Sequence, residues 1–309
     1  MKTYQIPGLE KPVTRLVMGS DYFSPERYDQ VSEMLDLFVS LGGNTIDTAA
    51  IYGAGKSEQA IGQWLSERKN REQIVILTKG AHHDEHGPRV NREAILYDLE
   101  SSLERLQTAY IDLYALHRDD PNVEVGEIIE VLNELKESGK IRAFGGSNWT
   151  VRRFEEANEY ARRNGLTGFT FSSPNLSLAK AKEPFWKDCV HVDEETLRWH
   201  EQTQFPLISW SSQARGFFTG RYSPDKPDNP DLVRVFYSEE NWARYDRAGE
   251  LAEKKGVSRI QIALAYVLNQ AFPVCAIIGP QNREEMESCF AAERIVLTPE
   301  EIRWLEHGE

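Results

Sequence analysis

Short apolar runs alternate with amphipathic stretches along almost the whole chain, and this alternation limits the folds that the chain can adopt. Eight apolar or β-branched runs predict strands, at residues 16–19, 44–47, 74–78, 111–116, 141–145, 169–171, 206–210 and 274–278. Regular alternation of strands and helices is typical of parallel sheets. We therefore predict an α/β protein with a single domain, residues 1–309, folded as a (β/α)8 TIM barrel with its active site at the carboxyl-end rim of the strands.

An open doubly wound sheet is the alternative architecture for such a pattern. No Gly-x-Gly-x-x-Gly turn follows the first predicted strand, Leu16–Gly19. This absence argues against a dinucleotide-binding fold of that type.

Helical spacing predicts helices at residues 27–41, 57–68, 90–106, 123–137, 150–164, 247–255, 258–270, 282–291 and 299–305. The first helix places four apolar side chains on one face: Val31, Met34, Leu35 and Phe38. We expect Ser57 to cap the second helix. We also expect an amino-terminal hairpin over the barrel floor and a long loop at residues 222–242.

The composition restricts the classes of partner. A net charge of -13 argues against nucleic acid and against anionic membranes. No apolar run is long enough to cross a bilayer, and the residues after Met1 form no apolar signal region. The three cysteines, Cys189, Cys275 and Cys289, lack metal-ligand spacing. We interpret them as reduced thiols and expect a cytoplasmic protein.

Three successive predicted strands are followed by side chains that can hold or transfer a proton. Asp47 ends the second strand, Lys79 ends the third and His117 follows the fourth. Tyr52 lies on the loop after Asp47, where two glycines let the chain turn. Since the carboxyl ends of parallel strands meet at one rim, these side chains should lie together.

Such a set of side chains suits the reduction of a carbonyl group. A tyrosine can donate the proton, although its ordinary pKa near ~10 is high for work at neutral pH. The ammonium of Lys79 would lower the pKa of Tyr52, with Asp47 as the counter-charge of the lysine. His117 would orient the substrate oxygen. A purely structural ion pair beside a tyrosine and a histidine is the alternative explanation.

Motifs in the same order along the chain resemble those of the aldo-keto reductase family. They are Asp47-Thr48-Ala49, Tyr52-Gly53-x-Gly55-x-Ser57-Glu58, Leu77-Thr78-Lys79, Leu116-His117-Arg118, Gly145-Gly146-Ser147-Asn148 and Gly216-Phe217-Phe218-Thr219-Gly220. The resemblance covers nearly the whole chain. It implies an NAD(P)H-dependent oxidoreductase that interconverts an aldehyde or ketone with its alcohol, and it implies catalytic roles for Asp47, Tyr52, Lys79 and His117.

The resemblance also implies the residues that bind the nicotinamide cofactor. They are Gly19, Ser20, Asp47, Ser147, Asn148, Ser173, Trp210, Ser211, Ser212, Gln213, Ala214, Gly216, Arg221, Gly279, Gln281, Arg283, Glu285 and Cys289. The chain departs from the family's usual pattern where Ser173 replaces a glutamine and Trp210 replaces a stacking tyrosine. Many relatives have a basic residue at position 281 and a glutamine or an arginine at position 285, which favour binding of a phosphate. This chain has Gln281 and Glu285 at these positions. NADP(H) is the favoured cofactor, with NAD(H) as an alternative.

We expect the substrate, a small-molecule carbonyl compound, to contact side chains around the rim. They are Tyr22, Tyr52, His83, His117, Arg118 and Trp149. The polar stretch at residues 82–86 lacks a closed ligand set and predicts a solvated loop rather than a metal site. Polar loops and the absence of a long closing loop favour a sugar or polyol-type carbonyl. A regulatory subunit that binds the cofactor on the same fold is the alternative function.

Overall fold

The barrel is preceded by a small hairpin and is formed by eight parallel strands. The structure, a computed structural model, describes residues 1–309. The hairpin pairs β1 (Thr3–Tyr4) with β2 (Val13–Thr14) in antiparallel fashion. The barrel strands are β3 (Leu16–Gly19), β4 (Thr45–Asp47), β5 (Val75–Gly80), β6 (Ile111–Leu116), β7 (Ile141–Ser147), β8 (Ser172–Ser173), β9 (Leu207–Ser209) and β10 (Val274–Ile278). Each pairs with the next, and β10 pairs with β3, which confirms the predicted (β/α)8 barrel.

Helices surround the barrel. They are α1 (Tyr28–Ser40), α2 (Lys56–Arg68), α3 (Arg92–Arg105), α4 (Val125–Glu137), α5 (Val151–Arg163), α6 (Glu194–Thr203), α7 (Pro230–Phe236), α8 (Glu239–Lys255), α9 (Arg259–Leu268), α10 (Arg283–Ala292) and α11 (Pro299–His307). None of these helices combines the length and the apolar character needed to cross a bilayer.

The apolar faces of the helices pack against the outside of the barrel. On α1, the four side chains predicted to face inward, Val31, Met34, Leu35 and Phe38, are all buried. Each such burial stabilises the fold by about 1.5–3 kcal/mol. The resulting core between barrel and helices contains 67 buried residues.

The hairpin region covers the floor of the barrel, as predicted. Ile6, Leu9 and Val13 are buried in a second apolar cluster together with barrel-interior residues such as Leu113 and Phe171. The amino-terminal end of the barrel is therefore closed by side chains, and the opposite rim is left for the site.

The sixth strand forms at Ser172–Ser173 and not at the predicted residues 169–171. Ser172 is paired with Gly146 on one side and with Leu207 on the other. Backbone partners on both sides begin at Ser172. The more apolar run just before it is bonded to β7, through the Thr170 N–H to Phe144 O at 2.9 Å and the Gly146 N–H to Phe171 O at 3.3 Å. Helix α6 also has no counterpart among the predicted elements. Its signal is Asp193, whose side chain accepts the Thr196 N–H at 2.8 Å.

The stretch at residues 222–242 is not the predicted long loop. It contains α7, and α8 begins at Glu239 rather than at residue 247. Asn229 caps α7 by accepting the Leu232 N–H at 3.2 Å, with a proline in the first turn. Ser238 caps α8. These capping signals determine the structure of a stretch whose prolines and aspartates suggested a loop.

Ser57 does not cap α2, contrary to the prediction. The helix begins one residue earlier, after Gly55 in the left-handed conformation. The Ser57 hydroxyl lies 2.7 Å from Ser20 Oγ and 3.0 Å from Thr48 Oγ1. It therefore connects the ends of β3 and β4 below the rim.

Candidate active site

Asp47, Lys79, His117 and Tyr52 lie together at the carboxyl ends of β4, β5 and β6. The Lys79 ammonium donates to the Asp47 carboxylate and, at 2.9 Å, to the carbonyl of Thr48. The side chains of this ion pair are only 2% and 3% exposed. The centre of the Tyr52 ring lies 5.1 Å from Lys79 Nζ and 5.8 Å from the centre of the nearly perpendicular His117 ring.

A left-handed turn positions Tyr52. Gly53, Ala54 and Gly55 have φ values of +57°, +55° and +90°, a region that favours glycine. A Cβ added at Gly55 would lie 2.7 Å from Arg105 Cδ, so this position also requires the small residue. The turn directly follows Tyr52, five residues after the end of β4, and holds the tyrosine beside Lys79.

Burial dominates the electrostatics of Tyr52. It raises the pKa of Tyr52 well above the ordinary value of 10.0, and the carboxylates of Asp47 and Asp21 raise this pKa further. This direction is opposite to the predicted lowering by Lys79. The charge of Lys79 is matched by Asp47, while desolvation disfavours the phenolate. Arg118 is the cation that opposes the rise, and the hydroxyl is protonated at neutral pH.

His117 is a neutral imidazole at neutral pH. Burial lowers the pKa of His117 well below 6.5, and the neighbouring charges of Lys79 and Arg118 lower it further. Its Nδ1 is buried without a protein partner. A neutral ring keeps one N–H donor, which can hold a substrate oxygen without carrying a positive charge.

The four side chains line a cleft of about 1220 Å³. Most of the other predicted site residues line the same cleft: Gly19, Ser20, His83, Arg118, Ser147, Asn148, Trp210, Ser211, Ser212, Gln213, Gly216, Arg221, Gly279, Gln281, Glu285 and Cys289. Most of the predicted catalytic, cofactor and substrate residues therefore share one continuous surface.

Five predicted residues do not line the cleft. Ser173 is fully buried and donates its hydroxyl to Ile208 O at 2.8 Å. Ala214 is also fully buried. Tyr22 donates its hydroxyl to the carbonyl of Pro280. Of these three residues, Tyr22 contacts the wall of the cleft, because Pro280 is one of its lining residues.

The other two are Trp149 and Arg283. Trp149 is 2% exposed, and its Nε1 donates to Arg118 O at 3.1 Å. It positions the main chain beside the site and does not face the substrate space. Arg283 lies on an outer groove beside α1 and pairs with Glu287 at 3.5 Å. The predicted contact of Arg283 with a cofactor phosphate is not supported by this position.

The loop after β9, which lines the same cleft, is rich in polar atoms and unusual backbone. Ser211, Arg215 and Gly216 have φ values of +46°, +51° and +83°. Trp210 Nε1 is buried and has no protein partner. Since buried donors are normally satisfied, these features suit a polar ligand with an aromatic ring, and they fit a nicotinamide dinucleotide.

Glu285 places a negative charge at the start of α10. Its Oε2 accepts the Gln281 N–H at 2.8 Å, and its Oε1 lies 3.5 Å from Arg221 Nη2. The carboxylate thus uses one backbone donor and one cation that a phosphate could otherwise bind. Glu285 lines the cleft, and its contact with a cofactor phosphate stays a prediction.

Several residues of the cleft have no counterpart in the predicted set. They are Asp21, Ile51, His82, Trp186, Lys187 and Arg215, among others. Trp186 is 46% exposed. A tryptophan in a stretch with no predicted helix or strand is the one feature of the sequence that could have indicated this cleft residue. His82 and His83 lie at the cleft, and no group of three or more potential ligands in the structure could hold a metal ion.

The chain belongs to the aldo/keto reductase family, whose sequence profile matches residues 15–307. It is an NAD(P)H-dependent oxidoreductase of that family.

Curated relatives have about one residue in three in common with it. Norsolorinic acid reductase B of Aspergillus parasiticus is 31% identical over 94% of this chain and 78% of its own. Versiconal hemiacetal acetate reductase of the same species is 31% identical over 95% of this chain and 93% of its own. Among solved structures, an aldo/keto reductase from Klebsiella pneumoniae in complex with NADP and acetate superposes with a TM-score of 0.74. It is 25% identical, over 98% of this chain and 94% of its own.

Proposed function

We propose that the protein reduces an aldehyde or a ketone to the alcohol, with Tyr52 as the proton donor. The proposal depends on one observation above all: the buried Asp47–Lys79 ion pair lies beside Tyr52 and neutral His117 in a large cleft. Membership of the aldo/keto reductase family supports the same reaction.

The site residues meet the charge that develops on the carbonyl oxygen. A bound, reduced nicotinamide supplies the hydride. Tyr52 is protonated at neutral pH, because burial raises its pKa, and it gives its proton to the oxygen. The N–H of His117 orients that oxygen, and Lys79 stabilises the phenolate that remains on Tyr52.

Residues of the same cleft would hold the cofactor in this proposal. Ser147 and Trp210 would hold the nicotinamide, and Arg221 would hold the adenosine phosphate. NADP(H) is favoured, since the K. pneumoniae structures contain NADP and NADPH. Glu285 limits this preference, because its carboxylate repels a 2′-phosphate, and NAD(H) is the alternative.

The lining of the cleft indicates the kind of substrate. His82, His83 and Arg118 provide polar contacts, which suit a hydroxylated carbonyl such as a sugar or polyol-type compound. Trp186 is 46% exposed and provides an aromatic face at the same cleft. This face suits an aromatic carbonyl, and an aryl-alcohol dehydrogenase of Pestalotiopsis microspora is among the relatives.

Tyr52→Phe tests the proton donor, because it removes only the hydroxyl. With a panel of sugars and aromatic aldehydes, we expect the parent to oxidise many equivalents of NADPH. We expect the variant to be slower by on the order of a hundredfold or more, with cofactor binding retained. Near-parent rates in the variant would exclude Tyr52 as the donor. A parent that binds NADPH without repeated turnover would instead support a regulatory subunit.

A further inference from the structure

Arg118 is a buried cation without a counter-ion inside the cleft. The residue is 6% exposed, its Nη1 donates to His117 O at 2.8 Å, and its Nε is buried without a partner. It forms no ion pair with any carboxylate of the chain. Burial of an unpaired charge is costly, so a persistent buried guanidinium implies a partner of opposite charge.

The neighbouring carboxylates are engaged elsewhere. Asp119, the next residue, binds Arg153 through contacts of 2.9 and 3.1 Å. Asp47 is paired with Lys79. Asp21 is exposed and does not reach Arg118 with an ion pair. With His117 neutral, one positive charge remains uncompensated beside the reacting position.

The guanidinium is held in place by the surrounding structure. Trp149 Nε1 fixes the main-chain oxygen of Arg118 at 3.1 Å, and the side chain is bonded to the carbonyl of His117. Its field reaches Tyr52 and Cys189, because it lowers the pKa of both groups against the effect of burial. A fixed fork of donors in the cleft loses little entropy when it binds an anion.

We propose that the substrate carries a carboxylate in addition to its carbonyl group, and that Arg118 binds this carboxylate. The inference rests on the proposed reductase function and narrows its substrate class. A guanidinium matches a carboxylate in shape and can bind it through two hydrogen bonds. A carboxylate also balances the single excess charge, whereas a phosphate monoester, with a charge of about −2, would exceed it.

The test compares carboxyl- and nitro-substituted benzaldehydes in the 2-, 3- and 4-positions. The nitro group has nearly the shape of a carboxylate but no net charge, and it activates the aldehyde more strongly. Intrinsic reactivity therefore works against the expected result. We expect kcat/KM to favour at least one carboxyl isomer over its nitro counterpart by about tenfold or more. A parent that prefers no carboxyl isomer overturns the proposal.

Arg118→Met keeps the length of the side chain and removes the charge. In this variant the carboxyl-over-nitro ratio should fall to about one or below, while Arg118→Lys should retain part of it. Lys187→Met, which removes an exposed cation at the same cleft, is the matched control and should change the ratio by less than about threefold. A ratio that persists in Arg118→Met overturns the proposal.

The outcome that contradicts the carboxylate inference differs from the outcome that contradicts the proposed reductase function. If the parent reduces neither these aldehydes nor any carbonyl compound of the panel used for Tyr52→Phe, the reductase function fails. If nitrobenzaldehydes are reduced and carboxyl isomers are not preferred, only the carboxylate inference fails. NADPH titration of Arg118→Met completes the test: a loss of cofactor affinity with an unchanged substrate ratio would assign Arg118 to the cofactor. If Arg118→Met is insoluble, the carboxyl-over-nitro ratio of kcat/KM in the parent decides whether the proposal holds.

Discussion

At the scale of single residues, the site depends on how buried charges are matched. Asp47 and Lys79 could be predicted as partners from sequence, because both end adjacent parallel strands. The lack of a counter-ion for Arg118 could not be predicted from sequence. It depends on Asp119 turning towards Arg153, 34 residues further along the chain. The raised pKa of Tyr52 was missed for a related reason: the sequence shows that a lysine is near, but not how fully the phenol is buried.

Lys79→Met should abolish carbonyl reduction and destabilise the fold. It leaves the Asp47 carboxylate buried without its partner, a change that costs about 3–5 kcal/mol. Any residual activity should show a higher apparent pKa for the tyrosine step, because the Asp47 carboxylate, which raises the pKa of Tyr52, is then no longer matched by the ammonium. Urea unfolding and the pH dependence of kcat/KM measure the two effects.

The double variant Asp47→Asn, Lys79→Met is the control for charge matching. It removes both charges and should recover part of the stability without recovering activity. Retained activity with an unchanged pH profile in the single variant would remove Lys79 from the mechanism.

At the scale of elements, the start of α10 determines which cofactor is preferred. Glu285 accepts the Gln281 N–H and lies near Arg221, so it already uses part of the positive field of this helix terminus. The helix itself was predicted from spacing. The spacing of apolar residues does not determine the direction of the Glu285 side chain. That direction depends on the loop before the helix and on Arg221, 64 residues away.

Glu285→Gln should strengthen NADPH binding by about 1 kcal/mol and leave NADH binding nearly unchanged. The gain is modest because the side chain of Glu285 is 37% exposed. Titration of each cofactor by quenching of tryptophan fluorescence measures the change. Glu287→Gln, on the same helix but outside the cleft, is the control. Equal changes for both cofactors would show that Glu285 does not sense the 2′-phosphate.

The element boundaries show which strands and helices can be located from sequence patterns alone. Apolar runs located the central strands because those strands are buried on both faces. Strand β8 consists of two serines, and its position is set by pairing with β7 and β9. Helices α6 and α7 are short and depend on the caps Asp193 and Asn229, which are weaker signals than a long apolar face.

At the scale of the whole molecule, buried histidines connect stability to pH. His200 lies below β8, with Nδ1 2.7 Å from Phe205 O and Nε2 3.2 Å from Ser172 Oγ. These contacts fit a neutral ring that donates from Nδ1 and accepts at Nε2. Burial lowers the pKa of His200 to about 4, and burial lowers the pKa of His191 to about 4 as well.

The unfolded chain binds more protons than the native protein between about pH 4 and 6.5, because the unfolded histidines have ordinary pKa values. Their contribution is therefore complete above about pH 6.5 and is lost as the pH falls towards 4. We expect the free energy of unfolding to fall over this range by up to about 3 kcal/mol for each histidine. Urea unfolding as a function of pH measures this loss.

His200→Gln should flatten the dependence in that range, whereas His307→Gln, at an exposed position, should not. An equal slope in the parent and in His200→Gln would contradict the assignment.

Closure of the barrel joins the two ends of the chain in space. The Ala276 N–H donates to Arg15 O at 2.7 Å, and β10 is the only neighbour of β3 on that side. A ribosome releases residue 15 long before residue 276. The first barrel strand must therefore wait, with one edge unpaired, until the last barrel strand, Val274–Ile278, has been made. During synthesis, the unpaired edge of β3 is therefore most open to incorrect pairing. The barrel can close only when β10, the strand made last, pairs with this edge.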